Sequence, residues 1–486
     1  MVHRAELSGH VAEAPDRPAP IQLADRANLS TDSPPMSDRL PPVMQPVLCW
    51  PGADAPFPPI YPGVSHPKGG AAMKPFTSGW ALLLLALVLS ACQALVAAGP
   101  VPRPEIAAKL PRPVPTRIPP AAPTLDESTL GWVNRMVEAS MAVNEIPGFA
   151  IGIIRHGQIV YATGYGVAEL GTARAMTPQT LAPAASLSTQ FTAAAILQLA
   201  AQGEVNLDAP VADYLPDIVF ADSRFAAVTV RHLLANNSGP PQPDSAASYD
   251  FTRRASTPDE LHRYLAGRTL AAAPGARFIF SSDNGDLLSA IVTKVSGLPF
   301  EEYVAAHLLA PAGMTHSTFR LVDADASELT AAHWLNAHGA PVASRTPPDY
   351  DQLHAGATGL VTNIDDLLAW AALSLDHGRR GNRQVVPADA YAAMWTPHAS
   401  FDDEFGGLFE QWGLGWALAD EQGHRVAWWG GMSLGSNMML FLAPDDDIAV
   451  VTLANATRES TGPPWYSYSV GYSILQLLLE VQVGGT

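Results

Sequence analysis

Cysteine is almost absent from this chain: Cys49 and Cys92 are the only two among 486 residues. Two thiols exclude a disulfide framework and a cysteine-ligated metal site. Lysine is nearly as scarce, with Lys68, Lys74, Lys109 and Lys294 making up the whole complement. The formal net charge is −18, which argues against a nucleic-acid partner, because a polyanion would be repelled. The 14 histidines show no H-E-x-x-H or comparable ligand spacing, so neither a metal nor a cofactor is expected. The longest apolar run, Trp80 to Leu89, is shorter than the roughly 18 residues that span a bilayer. No internal repeat is present.

Proline is abundant, with 44 residues, many of them before position 125. Within that region MKPFTSGWALLLLALVLSACQ, Met73 to Gln93, has the layout of a secretory signal: a basic start, an apolar stretch, then small residues. Its end, Leu89-Ser90-Ala91-Cys92, resembles a bacterial lipoprotein lipobox. The resemblance implies cleavage before Cys92 and a lipid on its thiol, hence a membrane partner and a place on the extracytoplasmic side of the cell envelope. Acyl chains contribute about 0.8 kcal/mol per buried CH₂. Signals sit at N-termini, so residues 1–72 read as an over-extended start or a disordered leader. Residues 93–125 include VPRPEIAAKLPRPVPTRIPPAAP and read as a Pro-rich, semi-extended tether.

The folded domain is expected over 126–486. Thr124-Leu125-Asp126-Glu127 has a capping-box pattern, and Leu130, Val133, Val137 and Met141 follow at helical spacing. GFAIGIIRHGQIVYATGYG reads as two strands joined at His156-Gly157. The segment after Ser186 reads as a helix with Ile196 and Leu199 inward, stopping at Gly203. WGLGWALAD, HRVAWWGG, SNMMLFLAP and DIAVVTLAN read as successive antiparallel strands, and PWYSYSVGYSILQLLLEV as a closing helix. Sheet material at both ends of the domain must meet, which gives an α+β fold on one antiparallel sheet flanked by helices.

Seven segments resemble, in order, landmarks of the serine β-lactamase and penicillin-binding-protein-like superfamily, in its branch of class C β-lactamases, D-alanyl-D-alanine carboxypeptidases and esterases. They are IPGFAIGIIRHGQIVYATGYG, the helix after Ser186 ending in QGEVNLDAPVADYLPD, VTVRHLLANNSG, PGARFIFSSDNGDLLSAIVTKVSG, LLAPAGMTHSTF, HAGATGLVTNIDDLLAWA and WWGGMSLGSNMMLFLAP. The resemblance implies a β-lactamase/transpeptidase-like fold with a mostly helical subdomain, a nucleophile at Ser186 and a second oxyanion amide at Met432. The same alignment places Thr189 where the family has a Lys base, and Phe280 and Ser282 where it has Tyr-x-Asn. Trp429 stands at the Lys or His of the third motif, with Gly431 retained. Thr has no side chain able to act as a base near neutral pH, and Phe carries no proton. The resemblance therefore implies an impaired enzyme that binds a peptidoglycan-like or small ester or amide ligand. The alternative is an active serine hydrolase that uses Ser186 with a non-standard base.

Other chemistry is weaker. Gly431-Met432-Ser433-Leu434-Gly435 matches G-x-S-x-G, but that hydrolase motif needs a His later in the chain, and none follows His424. His424, just upstream of Trp429, is the imidazole to consider as a substitute base. Asp445-Asp446-Asp447 reads as a hairpin turn, and Lys294 as a solvated surface residue. For the N-terminus the expectation is direct. Cys92→Ala should leave the protein in the soluble fraction or with its signal uncleaved, as read by membrane fractionation and mass.

Overall fold

A computed structural model describes residues 124–241, 258–335, 341–344, 354–401, 411–433, 435–458 and 466–483. The expected leader, signal, lipidated Cys92 and the tether up to residue 123 lie outside the described residues, while Leu125 is already buried in the domain. The first helix, α1 (Glu127–Asn144), is capped by Asp126, whose carboxylate accepts from the Ser128 and Thr129 amides. The cap is thus Asp126 itself, not a Thr124 box: an Asp carboxylate beside free helix amides outcompetes the more distant hydroxyl. Val133, Val137 and Met141 are buried from α1 as their spacing predicts.

Strands β1 (Gly148–Arg155) and β2 (Gln158–Gly166) form the expected hairpin. A short strand, β3 (Ala182–Pro183), leads into a 3-10 turn at Ala185–Leu187 and then α2 (Ser188–Ala201). Helices α3 (Val230–Leu234), α4 (Pro258–Ala266) and α5 (Ser282–Ser296) follow. Next come β4 (Ala332–Leu335), β5 (Pro341–Ser344), α6 (Ala355–Thr358), β6 (Val361–Thr362) and α7 (Ile364–Leu375). Two short strands, β7 (Arg379–Arg380) and β8 (Arg383–Gln384), make a separate hairpin. The last run is β9 (Ala399–Ser400), β10 (Gln411–Trp412), β11 (Ala417–Glu421), β12 (His424–Ser433), β13 (Ser436–Ala443), β14 (Ile448–Ala454) and β15 (Ala456–Arg458), closed by α8 (Tyr466–Val483).

One eight-stranded sheet has the order β2-β1-β14-β13-β12-β11-β10-β9, and every neighbouring pair is antiparallel. The first hairpin therefore joins the C-terminal strands, as the sequence pattern requires. Strands β13 and β14 are buried along their whole length; these near-continuous apolar runs are what a sheet covered on both faces demands. Helix α8 packs on β13 and β14, and α7 on β1 and β14. The main core lies under α2, α5 and α7, where Phe191 stacks on Trp370 with ring centroids 4.2 Å apart.

One buried side chain ties the end of β14 to the β1–β2 hairpin. Asn455 Oδ1 accepts from the Gly148 amide at 2.7 Å, and its Nδ2 donates to Val167 O at 2.9 Å and Thr330 Oγ1 at 3.0 Å. A buried amide with every group satisfied fixes strand register, and truncating it strands its partners. Asn455→Ala should lower stability by about 2–4 kcal/mol, read as a fall in urea midpoint at constant slope.

Candidate functional site

Ser186 lies in the middle of the 3-10 turn rather than in the first turn of α2. The turn is held by its own backbone and by Ser188. Ser188 Oγ donates to Ala185 O at 2.6 Å and accepts from the Leu360 amide at 2.9 Å, while the Ala184 amide donates to Leu360 O at 2.8 Å. Ala185 is forced to φ +46°, a left-handed conformation that costs an L-residue about 1–2 kcal/mol. Such strain persists only where the surroundings over-determine the backbone. Its effect is to push Ser186 out of the core to a half-exposed position.

The cleft strand comes very close to this turn. Residues Trp429–Ser433 of β12 run past the end of its pairing with β11 and lie against Ala184–Ser186. A Cβ added at Gly431 would sit 1.9 Å from Ala184 O and 2.6 Å from the Ser186 amide nitrogen. Only glycine permits that approach. Met432 follows on the same strand, paired with Asn437, with its side chain 45% exposed.

The replaced motif residues converge, and they make backbone bonds. Trp429 Nε1 donates to the Ser186 carbonyl at 3.1 Å, and Thr189 Oγ1 donates to the same carbonyl at 2.9 Å. The Phe280 ring packs on Trp429 at 5.3 Å, and Trp412 meets Trp429 edge-on at 4.5 Å. Trp412 is itself anchored by Nε1 donating to Leu234 O at 3.0 Å. This cluster leaves Trp429 only 8% exposed. Among the described residues, no side chain hydrogen-bonds the Ser186 hydroxyl.

Beside Thr189 is a cavity of about 10 Å³, bordered by Asn236, Ser281 and Asn284. That volume holds about one water molecule, not a four-carbon ammonium chain. Its polar wall is self-satisfied: Asn284 Nδ2 donates to Asn236 Oδ1 at 2.7 Å, and Ser238 Oγ donates to Asn284 Oδ1 at 2.5 Å. Ser281 borders this cavity and Ser282 does not; Ser282 is buried at the start of α5. The Ser281 amide donates to Asn236 Oδ1 on the same wall. Behind it Asp283 is buried and paired, accepting from Arg268 Nε at 2.5 Å and Tyr264 OH at 2.8 Å. Burial pushes its carboxyl up, against the pull of Arg268.

His424 is not a substitute base. Its Nδ1 lies 2.9 Å from Asp446 at the far end of β12, and it stands five residue steps, about 16 Å, along the strand from Trp429. Lys294 pairs with Asp217 at 2.8 Å, both side chains at least half exposed, as expected. Asp445–Asp447 form the β13–β14 turn, and Gly431–Gly435 leads out of β12 into the turn before β13. No group of three His, Cys, Asp or Glu side chains arranged to hold a metal occurs among the described residues, and none of their helices is long and apolar enough to cross a membrane. Sequence reasoning missed Trp412 and Ser188. Ser188 was open to notice, two residues after Ser186, whereas Trp412 carried no local signal.

The family model described as Beta-lactamase matches residues 133–466. The chain belongs to that family. Protein flp of Staphylococcus aureus (strain MW2) is 26% identical over 330 residues, 67% of this chain and 63% of flp. The D-aminopeptidase of Brucella ovis is 27% identical over 315 residues, 64% of this chain and 56% of that protein. The chain thus spans less than two thirds of the length of these curated relatives. The octameric penicillin-binding protein homologue from Pyrococcus abyssi superposes with a TM-score of 0.62 at 28% identity, covering 73% of this chain and 78% of that one. A class C beta-lactamase superposes with a TM-score of 0.59 at 22% identity, covering 73% and 98%; that likeness is one of fold.

The approach at Gly431 gives a sharp expectation. Gly431→Ala should cost more than about 2 kcal/mol, because the added methyl meets backbone on a doubly held turn. A shift in thermal midpoint and loss of the Trp429 fluorescence environment would register it.

Proposed function

We propose that this protein is a membrane-tethered member of the beta-lactamase family that has lost proton-transfer chemistry and binds a cell-envelope ligand or partner at its Ser186 cleft. The observation that carries this reading is the pair of hydrogen bonds that Thr189 and Trp429 donate to the Ser186 carbonyl. Thr189 and Trp429 occupy the positions from which the resemblance implies a base and a proton relay, and both spend their donors on main chain. A neutral Ser hydroxyl is a poor nucleophile at pH 7, and each lost acid–base group typically costs about 10²–10⁴-fold. The apolar rings around Trp429 suit a neutral peptide- or ester-like ligand and offer no cation to a carboxylate. The lipobox-like run at Cys92 supports the tether and, with it, a place on the extracytoplasmic face.

A second reading, an active hydrolase with an unconventional base, draws on two features: Ser186 is half exposed, and β12 still reaches its amide at Gly431. Oxyanion donors and binding alone can leave about 10³–10⁴-fold over water. Mass spectrometry after incubation with a penicillin and with an activated phosphonate separates the two. No adduct on Ser186 is expected. Stoichiometric adduct that disappears in Ser186→Ala would replace the first reading with the second. The combined variant Thr189→Lys, Phe280→Tyr, Trp429→His should gain labelling where Thr189→Lys alone does not. The small cavity beside Thr189 gives the new chain little room, and catalytic groups act as a unit.

A further inference from the structure

The strap Glu328–His333 touches both walls of the site. The Leu181 amide donates to Glu328 O at 3.0 Å and the Thr330 amide to Leu181 O at 2.8 Å, so the strap runs beside the segment that enters the Ser186 turn. At its other end Ala332 supports the turn between β12 and β13. A Cβ on Gly435 would lie 2.4 Å from Ala332 Cα, and the Gly435 amide donates to Thr457 Oγ1 of β15 at 2.9 Å. Strand β15 is the parallel neighbour of β4. The next residue, Ser436, donates its hydroxyl to Pro183 O at 2.7 Å, which closes the loop back to Ser186.

His333 fastens the strap. It is fully buried. Its Nε2 accepts the Leu170 amide at 3.1 Å, and its Nδ1 lies 2.9 Å from Asn455 O. A carbonyl only accepts and an amide N–H only donates, so these partners demand the neutral ring with its proton on Nδ1. A proton on Nε2 would set donor against donor at Leu170. The charged groups facing the ring are Glu169 and Arg174, of opposite sign and opposed in effect; Arg174 is itself spent on Ser327 O and Leu329 O. Asn455, Thr330 and Ala332, which also pack here, carry no charge. Burial dominates and lowers the imidazole pKa below its ordinary value.

We propose that His333 is a proton-sensitive latch on the cleft: acidification breaks the Leu170–His333 bond, frees the strap, and loosens together the approach to Ser186 and the β12–β13 turn. The direction follows from linkage. The closed form prefers the neutral ring, so its advantage is complete above about pH 6.5 and is lost as pH falls below that value. The device operates whether Ser186 reacts or only binds.

Hydrogen–deuterium exchange at pH 5 and pH 7.5, corrected for intrinsic rate, tests the latch on the intact protein. Peptides covering 181–187 and 430–437 should exchange faster at pH 5, by at most about tenfold for each pH unit below the ordinary imidazole value, the limit when opening takes up one proton. Peptides from the middle of α2 should not change. His333→Gln and His333→Asn cannot titrate, and in both the pH dependence should vanish; in His424→Gln, which removes the His424–Asp446 pair at the start of β12, it should persist. Exchange that is indifferent to pH in the wild type, or a pH dependence kept by both His333 variants, overturns the proposal. If neither variant folds, the ring titration of His333 in the wild type decides by NMR: a midpoint clearly below about 6.5 supports the latch, and one at or above it overturns the proposal.

Discussion

The approach of β12 to the Ser186 turn is the constraint on which the site depends. Gly431 lets strand backbone touch Ala184 O and the Ser186 amide, and that contact sets how far Trp429 must reach. Two residues earlier on the strand, with its side chain on the same face, Trp429 falls within hydrogen-bond distance of the Ser186 carbonyl. The turn is rigid from the other side as well, because Ser188 and Leu360 hold it and Ala185 is locked at positive φ. Neither partner can relax without the other.

Thr189 and Trp429 converge on one acceptor, the Ser186 carbonyl. Thr189 retains a donor, and a helical hydroxyl naturally finds a carbonyl three residues back, which here is that of Ser186. The Trp429 indole has one donor and a large ring; the donor takes the same carbonyl, and the ring completes an aromatic group with Phe280 and Trp412. Each such bond contributes about 1 kcal/mol of stability, whereas an acid–base group acting from such a position would lower a barrier by about 3–5 kcal/mol.

Buried polar groups carry the remaining specificity. Asn455, Ser188 and the Asn236–Asn284–Ser238 set are satisfied by backbone or by one another. Fully satisfied networks of this kind fix a single arrangement, and any one lost partner is costly. His333 belongs with them and differs in one respect: its second nitrogen is an acceptor only while the ring is neutral.

Much of this was written in the local sequence. Alternation and apolar runs marked the hairpin of β1 and β2, the four late strands and the closing helix, because burial on one or both sheet faces imposes a period that survives in any order of folding. The site positions were legible too, since Ser186, Thr189, Phe280 and Trp429 stand at fixed offsets from recognisable segments. What those side chains do was not legible. That the Trp429 indole meets a carbonyl 243 positions away, that Trp412 braces it, that Ser281 and not Ser282 borders the space beside Thr189, and that His424 points to Asp446 all depend on distances between segments remote in the chain. Sequence determined which groups were available and which face of each element they occupy. Tertiary structure alone decided their partners, because a hydrogen bond is settled by a few tenths of an ångström and only the packed sheet and helices fix positions that finely.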